Sequence, residues 1–150
     1  AYTDAKVDAF RAPPGAAATA IVPPGTPLAY APKFKASLGV DYRWRTGGSI
    51  DARFGAQGSY QSSQLSLFDP SPIVREAGRI KAYGLVDLSA GIVSADDRYS
   101  LTLQVKNAFD QSFAAAITNG GPGGAYRYLI PREADRYFGV TGKISFGGSR

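Results

Sequence analysis

The sequence predicts an all-β fold of about six antiparallel strands, and three observations support it. Polar and apolar residues alternate, the alternating runs are about ten residues long, and the connections between them are alternately short and long. Alternation with a period of two gives a strand one apolar and one polar face, as in antiparallel sheets with different surroundings on their two sides. The predicted strands cover residues 1–10, 33–45, 50–60, 82–93, 99–106 and 136–146.

The first two clear strands form a predicted hairpin. The run 33–45 separates an apolar face from a polar one, the run 50–60 does the same, and Thr46-Gly47-Gly48-Ser49 between them has the composition of a tight turn. The run 1–10 alternates less clearly and is the weakest strand of the six. The apolar face of the first clear strand carries Phe34, Ala36, Leu38, Val40, Tyr42 and Trp44.

The last three strands follow the same pattern. The runs 82–93 and 99–106 are separated by Ser94-Ala95-Asp96-Asp97, which predicts a second hairpin. The run 136–146 is the final strand. We expect Pro131-Arg132 to begin it, because proline cannot donate to a strand ladder and is tolerated at a strand's start.

Connection and strand lengths indicate a membrane barrel. The segments 11–32 and 61–81 hold 22 and 21 residues, a third long segment runs through Pro131, and all three fall on one side of the predicted sheet. Ten residues at about 3.3 Å each, tilted about 40°, rise roughly 25 Å, the height of the apolar band in outer-membrane barrels. Aromatic residues also gather near both strand ends, as in interfacial girdles. The sequence therefore predicts transmembrane strands of an outer-membrane β-barrel.

Composition argues against several other classes. Histidine and cysteine are both absent, which removes the commonest general base and the usual zinc ligands, so we predict neither an enzyme nor a cofactor or metal site. The formal net charge is +5, but Lys and Arg are spread along the chain, so no nucleic-acid partner is predicted. A soluble or surface-attached β-sandwich that binds a partner through its loops is the alternative, since it also alternates. An outer-membrane enzyme and a simple porin are weaker rivals.

Three stretches carry a family resemblance. They are Val105-Lys106-Asn107-Ala108-Phe109-Asp110 at a strand end, Pro131-Arg132 before a final strand ending at Phe146, and Ala31-Pro32-Lys33 opening a long strand, with Tyr2-Thr3-Asp4-Ala5 upstream. In order and spacing they resemble the C-terminal end of a TonB-dependent receptor. Two features depart from the family pattern: Ala108 stands where a Leu is usual, and residues 147–150 extend beyond the terminal Phe.

The resemblance implies both an architecture and a function. Such receptors are barrels of about 22 strands around an N-terminal plug, so residues 1–150 are expected to be the C-terminal part of the barrel, without the plug and the earlier strands. It further implies uptake of a scarce nutrient, such as a metal-siderophore, cobalamin or carbohydrate, across the outer membrane of a Gram-negative bacterium. The implied partners are outer-membrane lipid, an extracellular small-molecule ligand and the TonB complex, reached through the plug.

Four residues are candidate ligand contacts: Phe68, Tyr126, Arg127 and Tyr128. The last three lie in a glycine-rich loop and suit stacking and anion contacts, although we slightly favour an interfacial aromatic patch on a mobile loop. Phe68 belongs to an apolar group in the second long connection, with Leu65, Leu67, Ile73 and Val74, that either closes over a ligand or packs against other loops. For Asn107-Ala108-Phe109-Asp110 we favour a turn-fixing role over ligand contact.

Overall fold

The computed structural model describes residues 1–17 and 21–146. Two 3-10 turns, Pro122–Gly124 and Arg132–Ala134, accompany the regular elements. Among the described residues, no helix has the length and apolar character needed to cross a membrane. The elements in chain order are β1 (Lys35–Trp44), β2 (Ile50–Gln61), β3 (Gln64–Leu65), α1 (Pro72–Ala77), β4 (Arg79–Ile80), β5 (Tyr83–Ser94), β6 (Tyr99–Lys106), β7 (Ala116–Thr118), β8 (Arg127–Leu129) and β9 (Tyr137–Ile144).

The main sheet has five strands in the order β1-β2-β5-β6-β9, so their order in space is the same as their order along the chain. These are the five clear strands that the sequence predicts, and their ends agree to within about two residues. β6 pairs antiparallel with both neighbours, and the register puts Ala90, Leu103 and Val140 in one row across three strands. The apolar positions therefore share one face of the sheet, which confirms the all-β antiparallel prediction.

The predicted strand over residues 1–10 is wrong. This segment forms only two isolated bridges, from Tyr2 to Phe34 and from Lys6 to Pro27. Its second partner is a proline, which has no N–H to extend a ladder, and the chain between the two partner positions turns at Tyr30, whose φ is +57°. A continuous strand therefore has no continuous partner here, although single backbone bonds such as Val7 N to Thr26 O, 2.8 Å, hold the segment in place.

The prediction that Pro131-Arg132 begins the last strand is also wrong. Arg132–Ala134 forms a 3-10 turn, and β9 starts only at Tyr137. The turn buries Ala134 to 1% exposure and presents the carbonyl of Glu133 to the side-chain amide of Asn107. Proline suits the start of a helical turn because its fixed φ is already helical and its missing N–H is not needed there.

By contacts, the chain divides into two compact units. We call 1–36, 60–83 and 112–132 the loop unit, and 37–59, 84–111 and 133–150 the sheet unit. The loop unit consists largely of the long connections, which the sequence suggested as loops but which form β3, β4, β7, β8 and α1. Side chains from all three connections are buried in it, among them Val22, Ile80 and Ile117 at 2–3% exposure.

The sheet unit leaves its apolar side chains exposed. Leu38 is 73% exposed, Leu103 56% and Val140 68%, although soluble sheets bury such residues. A β-sandwich would cover this face with a second sheet, so the exposure argues against the sandwich alternative. The outer edges of β1 and β9 end the sheet, and these five strands do not close into a barrel by themselves.

Candidate functional site

The apolar face of the sheet is continuous across β5, β6 and β9. Opposite residues in the ladders are apolar in row after row, including Leu88 with Val105, Ile92 with Leu101, and Val105 with Phe138. A continuous exposed apolar surface of this kind marks a surface that meets lipid or a partner rather than water. Its large members with more than two fifths of their surface exposed include Leu38, Val40, Tyr42, Trp44, Phe54, Leu88, Leu101, Leu103, Phe138 and Val140.

The opposite face of the sheet is polar, and several of its charges form ion pairs. Lys106 Nζ lies 2.8 Å from Asp87 Oδ2, and an Arg53 guanidinium nitrogen lies 3.5 Å from Asp41 Oδ1. Between these pairs the face forms an open concavity that Gln57, Ser89, Thr102 and Gln104 also line. In membrane barrels such polar side chains face the lumen, where water or protein surrounds them.

Asn107, which directly follows β6, is hydrogen-bonded to the 3-10 turn that precedes β9. Its side chain is 2% exposed; Nδ2 donates to Gln111 O and Glu133 O at 3.1 Å each, and Oδ1 accepts from Gln111 N at 2.8 Å. Its backbone is left-handed, with φ at +50°, a conformation that asparagine tolerates better than most residues. Asp110, three residues further along, accepts from Arg136 N at 2.9 Å, immediately before β9. These bonds confirm the turn-fixing interpretation of the Asn107 motif.

In the loop unit, Ser66 connects the long connections. Its Oγ accepts from Ile117 N at 2.9 Å and also donates to Ile117 O, so one hydroxyl satisfies both backbone groups of that residue. Tyr30 N donates to Leu65 O at 2.8 Å, and its hydroxyl lies 3.5 Å from Ser66 Oγ. Ser66 is itself only 6% exposed. The three connections therefore share one buried polar junction.

The candidate ligand residues Tyr126, Arg127 and Tyr128 lie on a β-hairpin rather than on an irregular loop. β7 pairs with β8 so that Thr118 faces Arg127 and Ile117 faces Tyr128. Successive residues of a strand point to opposite faces, so Arg127 and Tyr128 do not share a face. Arg127 and both tyrosines are exposed, Tyr128 to 62%. The glycines form the hairpin end, where Gly123 and Gly124 have φ of +64° and +78°.

Phe68 lies in the second long connection, 43% exposed, and its ring contacts Phe10 with centroids 6.3 Å apart. The members of the apolar group around it differ in burial. Leu65 is buried at 9% and packs in the loop unit, whereas Ile73 on α1 is 80% exposed. Sequence reasoning missed the stacked pair of Tyr83 and Phe113, with centroids 4.0 Å apart, because no local pattern links residues thirty positions apart.

The loop unit also contains exposed ion pairs that shift side-chain pKa values. Arg79 donates from two nitrogens to both carboxylate oxygens of Glu76, at 2.5 and 2.6 Å, and this hydrogen bonding lowers the pKa of Glu76. The hydrogen bond from Lys6 likewise lowers the pKa of Asp4.

No group of three or more potential metal-ligating side chains occurs within the described residues.

Comparison with known proteins identifies the family. The family model described as "TonB dependent receptor-like, beta-barrel" matches residues 1–108. No curated protein matches the chain, and no solved structure matches it. The match ends within the Asn107 motif, so the Pro131-Arg132 stretch and the last strand lie beyond the matched residues. Because the match covers well over half of the sequence, the chain belongs to the TonB-dependent receptor-like β-barrel family, whose members are receptors and transporters of the outer membrane.

Proposed function

We propose that this chain forms part of the barrel wall of a TonB-dependent receptor, and that its loop unit recognises a scarce nutrient outside a Gram-negative cell. The observation that carries the proposal is the contrast between the two units. The sheet exposes large apolar side chains on a face suited to lipid, while the long connections pack around their own buried side chains. Outer-membrane barrels have the same asymmetry, with short periplasmic turns and long extracellular loops.

The rest of the barrel completes the proposal. The outer edges of β1 and β9 have unpaired backbone groups, which are too costly to leave open in hydrocarbon. We therefore assign residues 1–150 to the C-terminal part of a larger barrel, in which other strands pair with these edges. An N-terminal plug would fill the lumen and receive energy from the TonB complex. The polar face, with its Lys106–Asp87 pair, would then face the lumen.

The nutrient is a metal-siderophore, cobalamin or carbohydrate in this proposal, and the chain has no catalytic role. Phe68, Tyr126, Arg127 and Tyr128 contact it. Their exposure supports this, and so does the state of Arg127, whose side chain makes no hydrogen bond or ion pair within residues 1–17 and 21–146. An exposed guanidinium can bind an acidic group and exposed aromatic rings can stack on a ligand, so Arg127 and the two tyrosines offer these contacts from the two faces of the hairpin.

Uptake by cells that carry the whole receptor tests the proposal. Ferric siderophores, cobalamin and oligosaccharides are supplied in turn, with and without an inner-membrane energy inhibitor. We expect energised uptake of one class, and we expect the combined change of Phe68, Tyr126, Arg127 and Tyr128 to Ala to weaken binding of that nutrient at least tenfold. The control is Ile73→Ala, which alters another exposed side chain of the loop unit. Uptake that is the same with and without the receptor would reject the proposed function.

A further inference from the structure

The positive charge of the chain is concentrated in one unit. The loop unit contains nine of the seventeen Lys and Arg residues but only four of the twelve Asp and Glu residues, whereas the ranges of the sheet unit contain eight of each. The whole formal net charge of +5 therefore belongs to the loop unit, and the sheet unit is neutral. In sequence order the basic residues look evenly spread, because the loop unit is assembled from three separate segments.

Ion pairing increases this contrast. Five ion pairs lie within the sheet unit, whereas Lys6–Asp4 and Arg79–Glu76 lie within the loop unit. Two carboxylates of the loop unit, Asp8 and Asp69, remain to offset its other cations. Asp8 is exposed, and Asp69 accepts a hydrogen bond from Ser71 N. The exposed cations of the loop unit with no ion pair in the described part of the chain are Arg11, Lys33, Lys35, Lys81 and Arg127.

We propose that the loop unit selects a soluble, negatively charged ligand, one that presents carboxylate, phosphate or sulfonate groups. The inference rests on the proposed receptor function and narrows its substrate class. Exposed Lys and Arg side chains that lack internal partners attract anions and repel cations before any specific contact forms. A receptor for neutral sugars gains nothing from a net charge of +5 in its recognition unit.

The charge acts mainly on the rate of association. A surface of one sign raises the local concentration of an oppositely charged solute and increases association rates by about ten to a thousandfold. Salt weakens the effect, since the screening length falls from about 30 Å at 0.01 M to about 3 Å at 1 M ionic strength. Binding of an anion to this receptor should therefore slow steeply as salt is added.

The test uses the complete receptor in nanodiscs of zwitterionic phosphatidylcholine, so that the lipid adds no net charge. The probes are a pyrene trisulfonate and a pyrene that carries three quaternary ammonium groups, followed by stopped-flow fluorescence. The test variant is Lys35→Glu with Lys81→Glu, neither of which belongs to the proposed ligand contacts. The matched control is Arg45→Glu with Lys143→Glu in the sheet unit, because both are exposed cations without ion pairs in the described residues and the net charge changes equally.

We expect the trisulfonate to bind and the ammonium probe not to bind. The Lys35/Lys81 variant should lower the trisulfonate association rate about tenfold at 0.01 M salt, the Arg45/Lys143 variant should stay within twofold, and the difference should vanish near 1 M salt. Equal slowing by both variants, or a rate that does not depend on salt, overturns the inference. In a parallel measurement with lipid A added to the nanodiscs, binding of lipid A without any binding of the soluble trisulfonate also overturns it, because the charge then serves lipid contact.

Failure of this inference differs from failure of the proposed function. If the Lys35/Lys81 variant takes up and binds a neutral nutrient as the unaltered receptor does, the receptor function stands and the anionic substrate class is wrong. If cells show no receptor-dependent uptake of any nutrient class, the receptor function itself is wrong.

Discussion

Arg43 and Asp51 connect the two short turns of the sheet. Arg43 Nε donates to Asp51 Oδ2 at 2.9 Å, and its NH1 donates to Asp97 Oδ1 at 2.8 Å in the turn between β5 and β6. Asp51 is 5% exposed and also accepts from Thr46 N at 3.2 Å in the turn between β1 and β2. One guanidinium thus bridges two hairpins, and its inner partner is the more buried of the two carboxylates.

Removing Arg43 should destabilise the sheet more than removing Asp97. Arg43→Ala leaves a buried carboxylate without its cation, whereas Asp97→Ala removes a partner that is 67% exposed in its side chain, where ion pairs contribute little. The urea midpoint for unfolding of the full receptor from bilayers measures this. Equal shifts of the urea midpoint in the two variants would show that the buried Arg43–Asp51 pair stabilises the sheet no more than the exposed Arg43–Asp97 pair.

Asn107→Ala should cost about 2 to 4 kcal/mol of unfolding free energy, because it removes three hydrogen bonds that a buried side chain makes to the backbone of Gln111 and Glu133. The control is Asn119→Ala, which changes an exposed asparagine in the β7–β8 hairpin and should have little effect. Urea unfolding of both variants gives the comparison. A change below about 0.5 kcal/mol for Asn107→Ala would mean that water replaces these bonds.

An arginine on the apolar face should destabilise the protein in the membrane far more than an arginine on the polar face of the same strand. Leu103→Arg, in the middle of β6, is expected to cost about 2 to 4 kcal/mol if it meets lipid near the bilayer midplane. Gln104→Arg, the next residue, points to the opposite face and is the matched control. Assembly yield in membranes and urea unfolding in bilayers measure the effect. Equal yields and equal stabilities of the two variants would contradict the assignment of the apolar face to lipid.

Ser66→Ala should loosen the loop unit and leave the sheet intact. It removes the hydroxyl that satisfies both backbone groups of buried Ile117, at a cost of about 1 to 3 kcal/mol. Hydrogen exchange at the Ile117 amide should accelerate, while exchange in β6 stays unchanged. Ser63→Ala, which removes a hydroxyl that lies 3.5 Å from an Arg79 guanidinium nitrogen, is the control. Acceleration in both units would contradict a local role.

Acid should weaken the segment from α1 to β4 through Glu76. The bond from Arg79 lowers the pKa of Glu76 below its ordinary 4.5, so the charged pair stabilises the folded segment above pH 4.5 and is lost as pH falls through the lowered value. Hydrogen exchange at Gly78 N, which donates to Val74 O, should be faster in Glu76→Gln than in the unaltered protein at neutral pH. The two rates should converge in acid. A difference that persists well below pH 4 would point to a cause other than this carboxylate.

The sequence predicts the sheet well because its pattern is local. In each of the five main strands the side chains alternate, so Leu101, Leu103 and Val105 identify their shared face without any knowledge of neighbours. The turn role of Asn107 is equally local, since its backbone and its bond to Gln111 lie within five residues. The false strand at 1–10 shows the limit, because whether a weak run becomes a strand depends on a partner, and here that partner contains Pro27.

The candidate site depends more on tertiary structure. The sequence by itself determined the two-faced strands, the alternation of short turns with long connections, and the residue types available to bind a ligand. Only the tertiary structure decided that Ser66 joins the connections, that Arg127 and Tyr128 lie on opposite faces of a hairpin, and that the net charge collects in the loop unit. The physical reason is range: alternation acts between adjacent residues, whereas burial and charge density depend on segments that are distant in the chain and close in space.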